Sequence, residues 1–249
     1  MEKFLEAWMT ISVKISSRYF LIAGLAFLLF YVLFRRYFRP RKIQAKFPEV
    51  KHYRRDLMYS VITILIFATV GAITFTLLRP WTQLYSPIDA YGWGYYALTF
   101  VMMFFLHDAY FYWMHRLMHH PQLFKAVHLI HHKSTNPSPW TSYAFHPLEA
   151  VIETGIIPLI AFAFPVHGTA IGLFMLFQFV YNVYGHLGYE LYPRGFHKTP
   201  IGRWVNTSVA HNLHHGRFHG NYGLYTLIWD RLCGTLREDY EETYERTLG

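Results

Sequence analysis

The chain has 249 residues, of which 53% are hydrophobic, 20% aromatic and only 15% charged. A soluble domain usually has about 25% charged residues, so this composition is typical of a membrane protein. The net charge of +8 does not indicate nucleic-acid binding. The basic residues lie beside apolar runs, where they suit anionic lipid headgroups and orientation signals. Cys233 is the only cysteine, which excludes an internal disulfide and makes thiolate ligation of a metal marginal.

The first half of the chain contains three strongly apolar segments. Residues 1–18 mix charged and apolar side chains and predict a short interfacial helix. The run Tyr19–Phe34 follows, and we interpret it as a membrane anchor rather than a signal peptide, because no small-residue cleavage site comes after it. Leu57–Leu78 is long enough to form a second span. Trp93–Leu106 predicts a third span that continues as a helix into a histidine-rich segment.

The second half has two shorter apolar runs, Leu148–Phe164 and Thr169–Tyr184. Pro165 and Gly168 separate them, so we expect a tilted or re-entrant hairpin. The loop 35–55 is rich in Lys and Arg, which marks it as cytoplasmic. With this orientation, the histidine-rich segments all fall on the cytoplasmic face.

Eight histidines form three groups with regular spacing. On a helix, residues three and four apart share one side, so each group can present its imidazoles together. Imidazole is a ligand for Zn, Cu, Fe and Ni. One tetrahedral site needs only about four ligands, so the spacing predicts two metal ions. The eight residues are His115, His119, His128, His131, His132, His211, His214 and His215.

These patterns together predict an all-α integral membrane protein. It has about four transmembrane helices, arranged as two hairpins, and a helical cytoplasmic cap that holds a histidine-rich dimetal site. We expect one domain over residues 1–249. Within it, residues 1–92 form an N-terminal membrane hairpin, 93–236 a catalytic core that contains the histidines, and 237–249 a tail.

Six motifs follow one another between about residues 100 and 236. They are HRLMH (115–119), HLIHH (128–132), AFHPLE (144–149), GHLGYE (185–190), HNLHH (211–215) and NYGLYTLIWDRLCGT (221–235). In sequence and order they resemble the membrane fatty acid hydroxylase/sterol desaturase superfamily. The resemblance implies a membrane-bound di-iron oxygenase that uses dioxygen to hydroxylate, desaturate or cleave a lipid. It also implies electrons from an external ferredoxin or cytochrome with its reductase. Zinc can replace the two irons in purified material.

The resemblance extends to particular residues. It implies that the eight histidines above are metal ligands and adds His186, the histidine that follows the last membrane helix in many members. His146 matches the AFHPLE motif as a ligand or as a support of one.

Five further residues are candidates for ligands or for residues that hold the ligands in place. Asp108 lies on the same helical face as His115 and could accept an N–H from a ligand imidazole, as could Asn182, four residues before His186. His107 lies either beside the ligands or in the substrate pocket. The remaining two are His120 and His219, which flank the motifs.

Aromatic and acidic residues near the motifs suggest how a lipid is handled. Tyr112 and Trp113 precede the first histidine pair and are candidates to line the substrate path; helix packing is the alternative, and the sequence slightly favours it. Glu149 and Glu153 are four apart on a helix that enters the membrane. They are functional candidates, or they form ion pairs with cytoplasmic basic residues.

Two other classes of protein remain open from the sequence. A zinc-dependent membrane hydrolase usually carries HExxH, which is absent. A non-catalytic metal-binding membrane protein or a transporter would distribute ionisable groups along its spans, whereas the histidines here gather at one end. The C-terminal RTLG is not a KDEL-type retention signal, so we expect a bacterial inner membrane rather than the endoplasmic reticulum. The oligomeric state and the identity of the lipid cannot be read from the sequence.

Overall fold

The structure, a computed structural model, describes residues 1–249 and is mostly helical, as predicted. Two-residue strands β1 (Leu84–Tyr85) and β2 (Val166–His167) pair in parallel and form the only sheet. The helices are α1 Glu2–Leu33, α2 Val50–Leu77, α3 Gly92–Met118, α4 Pro121–Val127, α5 Leu129–His132, α6 Pro147–Thr154, α7 Ile156–Ala163, α8 Gly168–Gly185, α9 Ser208–Arg217, α10 Ile228–Leu232 and α11 Tyr240–Leu248. Short 3-10 helices occupy Arg39–Arg41, Arg79–Trp81, Ile88–Ala90, Pro139–Tyr143, Phe196–Lys198 and Gly202–Trp204.

The helices α1 and α2 form an antiparallel pair, and each is long and apolar enough to cross a membrane. The indole N–H of Trp8 donates to the Thr69 hydroxyl at 3.0 Å, and Ile11 packs against Gly71. The sequence predicted an interfacial helix over residues 1–18 and a separate anchor from Tyr19. The structure shows one continuous helix instead, because no Pro or Gly occurs between Glu2 and Ala23 to end it.

The helix α3 runs through the third apolar segment into the first histidine pair, as predicted, and Pro121 begins α4. The helical segment that carries the second histidine group is interrupted. Its first part, α4, ends at Val127, and α5 begins at Leu129, so His128 lies at the junction.

The run Leu148–Phe164, predicted as one apolar segment, is divided between α6 and α7 at Gly155. A Cβ atom at Gly155 would lie 2.6 Å from the hydroxyl oxygen of Tyr110 on α3. Only glycine therefore allows the α6–α7 junction to approach α3 this closely. The next helix, α8, then runs from the β1–β2 end of the molecule to His186.

Three apolar clusters surround the histidines and hold their helices in place. One lies between α3, α7 and α8, and a second lies between α1, α2, α8 and the segment Pro139–Tyr143. The third joins α9 to α11 through Val209, Tyr240 and Tyr244. The helices α3, α8 and α9, which carry histidines of the site, therefore each contribute to a buried apolar cluster.

Candidate metal centre

Nine imidazoles meet where α3, α5, α8 and α9 converge, and they form two groups. Within each group the possible ligand atoms all lie within 4.8 Å of one another. Group A consists of His115, His119, His128, His132 and His214. Group B consists of His131, His186, His211 and His215. The structure thus brings together the same nine histidines that the sequence predicted as ligands.

Each HxxHH motif contributes to both groups. In the first motif, His128 and His132 belong to group A and His131 to group B. The second motif reverses this, since His211 and His215 belong to group B and His214 to group A. Residues four apart point in nearly the same direction from a helix, whereas the residue between them, at i+3, is rotated away. Two such motifs facing each other therefore produce two adjacent sites.

In each group, the imidazoles point their Nε2 atoms at the centre of that group. In group B, the Nε2 atom of His186 lies 3.2 Å from that of His131, 3.0 Å from that of His211 and 3.2 Å from that of His215. In group A, the closest Nε2–Nε2 distances are 3.0 to 3.1 Å. Two nitrogen ligands that are each about 2.1 Å from one ion lie about 3.0 to 3.4 Å apart. The spacing suits one ion per group.

The Nδ1 atoms, on the other side of each ring, show which tautomers of His186 and His215 are present. The Nδ1 atom of His186 lies 2.8 Å from the carbonyl oxygen of Asn182, and that of His215 lies 3.0 Å from the carbonyl oxygen of Ser134. A carbonyl oxygen can only accept, so each Nδ1 carries the proton and each Nε2 carries a lone pair. Two lone pairs 3.2 Å apart repel each other unless a cation lies between them.

Group A has the same arrangement. The Nδ1 atom of His115 donates to the carbonyl oxygen of Tyr222 at 2.9 Å, and that of His214 donates to the carbonyl oxygen of Gly220 at 2.7 Å. These hydrogen bonds orient the rings and leave their Nε2 lone pairs facing inward, as in many metal sites. The donor set of both groups therefore fits metal ions.

Burial keeps the imidazoles in the neutral form that ligation requires. Desolvation is the main cause in both groups, and it lowers the pKa of His115 and the pKa of His186 to about 4. In group A, neighbouring imidazoles lower the pKa of His128 further, because each would repel a second positive charge. Near neutral pH the site is a set of uncharged donors.

A single carboxylate approaches the imidazoles. The Oε1 atom of the fully buried Glu149 lies 2.7 Å from Nδ1 of His128, which is within ion-pair distance but not aligned as a hydrogen bond. From the sequence, Glu149 was a candidate either for a functional role or for an ion pair with a cytoplasmic basic residue. The structure places it beside a histidine of group A.

Comparison with known proteins identifies the family. The model of the fatty acid hydroxylase family matches residues 100–235, which contain all nine histidines. The chain belongs to the fatty acid hydroxylase family. No solved structure matches the chain.

Several curated relatives of this family member are sterol desaturases or oxidases. A Delta(7)-sterol 5(6)-desaturase of Aspergillus fumigatus is 34% identical over 68% of the chain and 46% of the relative. A Delta(7)-sterol 5(6)-desaturase of Leptosphaeria maculans is 29% identical over 92% of the chain and 61% of the relative. A lathosterol oxidase of Rattus norvegicus is 31% identical over 74% of the chain and 60% of the relative. The chain spans about half to three fifths of the length of these relatives.

These relatives correct one prediction. They come from fungi and a rodent, so the preference for a bacterial inner membrane was wrong. The absence of a retention signal, on which that preference rested, does not distinguish the two kinds of membrane.

Two residues were expected to accept an N–H from a ligand imidazole, and neither does so with its side chain. Asn182 accepts from His186 through its main-chain carbonyl, while its side-chain amide donates to the carbonyl oxygen of Ser142 at 2.7 Å. Asp108 contacts no imidazole of the site. Its carboxylate accepts the backbone N–H groups of Tyr225 and Thr226 at 3.0 and 3.1 Å.

The four other candidate histidines lie outside both groups. His146 caps α6, where its Nδ1 accepts the backbone N–H of Leu148 at 3.3 Å. His120 and His219 are exposed at the surface. His107 is buried in the wall of a cavity, and its Nδ1 lies 3.1 Å from the Tyr225 hydroxyl. Of its two predicted positions, the structure favours the pocket.

That cavity has a volume of about 870 Å³, within the usual range for ligand sites. Its wall touches both groups of histidines. The ring of Phe111 lies 5.0 Å from that of His115, and the ring of Phe145 lies 5.1 Å from that of His131. The cavity therefore ends beside the two histidine groups.

The two aromatic residues predicted to line the substrate path lie away from this cavity. Tyr112 is buried, and its hydroxyl lies 3.0 Å from that of Thr235, while Trp113 is half exposed and packs on Trp229. Neither lines the cavity. His107 and Phe111, four residues apart on another face of α3, do so instead.

Sequence reasoning also missed residues that act through the backbone. The carbonyl groups of Gly220 and Tyr222 orient two imidazoles, and no side-chain pattern signals them. The buried carboxylate of Asp230 shapes this loop by accepting the backbone N–H groups of Tyr222 and Gly223 at 2.9 and 2.8 Å. The position of Asp230 in the NYGLYTLIWDRLCGT motif was the available signal.

Proposed function

We propose that this chain is a membrane-bound di-iron oxygenase that desaturates or hydroxylates a lipid. The supporting observation is the set of nine neutral imidazoles, whose Nε2 atoms form two groups beside an apolar cavity. Breaking an unactivated C–H bond requires redox chemistry, which bound iron with dioxygen supplies and zinc or side chains do not. The first substrate class to examine is the sterols, because the relatives named above are sterol desaturases and oxidases.

The residues of the chain would hold and shield the metals. His115, His119, His128, His132 and His214 would hold one ion, and His131, His186, His211 and His215 the other. The backbone carbonyls that accept from the Nδ1 atoms keep the rings oriented. Phe111 and Phe145 separate the imidazoles from the cavity and make the reacting region apolar, which limits access of water.

We propose that the metal centre lies in a cap on the cytoplasmic side of about four membrane-crossing units. The units would be α1, α2, the first part of α3, and the hairpin of α7 and α8. Large apolar side chains are exposed at helical spacing along these elements, as expected of surfaces that face lipid. They include Leu98, Val101 and Phe105 on α3 and Leu173, Phe177 and Val180 on α8.

Electrons would come from a separate carrier. The chain contains no GxGxxG dinucleotide fingerprint, and its cytoplasmic loop 35–55 is strongly basic. An acidic ferredoxin or cytochrome would be attracted to such a surface. Turnover with a purified carrier and reductase should then fall as ionic strength rises, and a flat profile would count against electrostatic docking.

Metal content is the decisive test. Protein purified in detergent from iron-supplemented cells should contain about two irons per chain, and Mössbauer spectra should show them as a coupled pair. Two zincs per chain call for reconstitution with iron, followed by an assay of oxygen consumption with a sterol. A protein that binds no metal under any of these conditions would refute the proposal. A loaded protein that hydrolyses a lipid without oxygen would support the zinc-hydrolase alternative.

A further inference from the structure

A buried carboxylate on α2 anchors the loop that follows the second histidine motif. Asp56 is only 2% exposed, and it belongs to the N-terminal helix pair, which carries none of the nine histidines. The Ser134 hydroxyl lies 2.8 Å from both carboxylate oxygens of Asp56, and the Thr141 hydroxyl donates to Oδ2 at 2.7 Å. Arg55 donates to Oδ1 from Nε at 3.1 Å and from Nη2 at 2.9 Å. Asp56 therefore holds both ends of the segment 134–141.

The first end of this segment orients one ring of group B. The backbone carbonyl oxygen of Ser134 accepts the Nδ1 proton of His215 at 3.0 Å. The hydroxyl of Ser134 is fixed from α2 by Asp56 and by Nη2 of Arg55, which donates to it at 2.6 Å. Fixing the hydroxyl restricts the side-chain torsion and limits how far the carbonyl of the same residue can turn. The orientation of His215 thus depends on Asp56 through Ser134.

The other end of the segment orients a second ring of group B. Thr141 and Ser142 are consecutive in the short helix Pro139–Tyr143, so they move together. The carbonyl oxygen of Ser142 accepts the side-chain amide of Asn182 at 2.7 Å. The carbonyl oxygen of Asn182 in turn accepts the Nδ1 proton of His186 at 2.8 Å. Two of the four rings in group B are therefore linked to the carboxylate on α2.

The rings of group A are oriented from a different loop. The carbonyl oxygens of Gly220 and Tyr222 accept from His214 and His115. This loop is fixed by its own buried carboxylate, because Asp230 accepts the backbone N–H of Tyr222 at 2.9 Å. Each histidine group is thus supported by a separate loop with a separate carboxylate.

We propose that Asp56 is a positioning residue for group B: it holds His186 and His215 in the orientation that an ion requires and has no such role for group A. The N-terminal helix pair then sets the geometry of one metal site in addition to crossing the membrane. Loss of a group that orients a ligand imidazole typically weakens metal binding about 10–100-fold. The part of this inference that concerns the ion rests on the proposed function, whereas the orientation of the two rings does not.

The test substitutes Asp56→Asn in the full-length protein. The amide keeps the shape of the side chain, but its nitrogen cannot accept the hydrogen bonds that the second carboxylate oxygen accepts. During dialysis against graded chelator, one ion should be released at about 10–100-fold lower chelator concentration than in the unsubstituted protein, and the other should be retained as before. Ser134→Ala removes the hydroxyl link and keeps the carbonyl, so it should change the release in the same direction.

The affected group is identified in the metal-free protein. Diethyl pyrocarbonate modifies neutral imidazoles that it can reach, and mass spectrometry locates the modified rings. In Asp56→Asn, His186 and His215 should be modified faster than in the unsubstituted protein, because their rings are less firmly held. The rates at His115 and His214 should not change.

Two variants with the same substitution serve as controls. Asp230→Asn should reverse the pattern, with faster modification of His115 and earlier release of the group A ion. Asp108 is as buried as Asp56, at 2% exposed, and its carboxylate holds backbone N–H groups of residues that orient no ring. Asp108→Asn should therefore lower the stability without selecting either group, which separates positioning from a general loss of stability.

Two outcomes would overturn the proposal. One is that Asp56→Asn affects both groups equally, in modification or in metal release. The other is that modification and release are unchanged in the folded variant. The metal content of the unsubstituted protein distinguishes this proposal from the proposed function. If that protein never binds metal, the oxygenase is refuted, while selective modification of group B in Asp56→Asn still supports the positioning role. A di-iron protein whose Asp56→Asn variant loses ions from both groups would do the reverse.

Discussion

The two histidine groups differ in size, so equivalent substitutions in them should have different effects on metal content. His214 in group A and His186 in group B form a matched pair. Both are almost completely buried, and both donate from Nδ1 to a backbone carbonyl at 2.7 to 2.8 Å. His214→Ala leaves four imidazoles in its group, enough for a tetrahedral site, whereas His186→Ala leaves three.

The expected difference can be derived from metal affinity. A structural four-ligand site contributes about 10–16 kcal/mol of binding, which is about 3 kcal/mol for each ligand. Losing one of four ligands should therefore weaken the group B ion about 100-fold. Elemental analysis after dialysis against graded chelator should give about one metal per chain for His186→Ala and close to two for His214→Ala.

The control is the thermal unfolding of both variants without metal. Each substitution leaves one carbonyl without its donor and removes one ring, so the two metal-free proteins should be destabilised by similar amounts. If both variants lose the same number of ions, or if only His214→Ala loses one, the division into a five-ligand and a four-ligand site is wrong.

Three further predictions concern stability. Because burial lowers the pKa values of His115 and His186 to about 4 from 6.5, the unfolded chain binds more protons than the folded chain below pH 6.5. The melting temperature of the metal-free protein should therefore fall as the pH drops from about 6.5 towards 4, and a constant value would contradict the neutral, buried state of the imidazoles. Gly155→Ala would bring a Cβ atom within 2.6 Å of a tyrosine hydroxyl and should lower the melting temperature, while Gly94→Ala, with no atom within 4 Å, should not; equal effects would exclude close packing as the cause. Asp108→Asn should cost about 1–3 kcal/mol, since the amide cannot accept all the donors that face the carboxylate, and an unchanged denaturation midpoint would show that this loop is held otherwise.

The chemistry of the site could be read from the sequence because it depends on residue types at short spacing. His115 and His119, and the two HxxHH motifs, lie on or beside helices whose local geometry is nearly independent of the rest of the fold. Neutral imidazoles at i, i+3 and i+4 can then act together wherever the helix is placed. The six motifs added His186, for which no local spacing argument exists.

The division of the histidines into two groups was decided only in three dimensions. The sequence shows that His131 and His214 are the i+3 members of their motifs, but it does not show which neighbours they meet. That depends on how α5 and α9 cross, because each ring can join only the group towards which it points. The carbonyl groups that orient the rings likewise come from loops outside the motifs, as that of Gly220 does. Every residue type has a backbone carbonyl, so the sequence does not show which carbonyl accepts.

The cavity wall depended on tertiary packing even more strongly. Tyr112 and Trp113 were chosen because they are aromatic and precede the first histidine pair, yet successive residues on a helix are about 100° apart, so neighbours in sequence face different surroundings. His107 and Phe111 face the cavity because α8 and the 139–145 segment lie opposite them. Ile11 and Ile15 of α1 reach the same cavity from more than 90 residues away in sequence, because the first helix packs across the bundle. No local sequence pattern predicts such a contact.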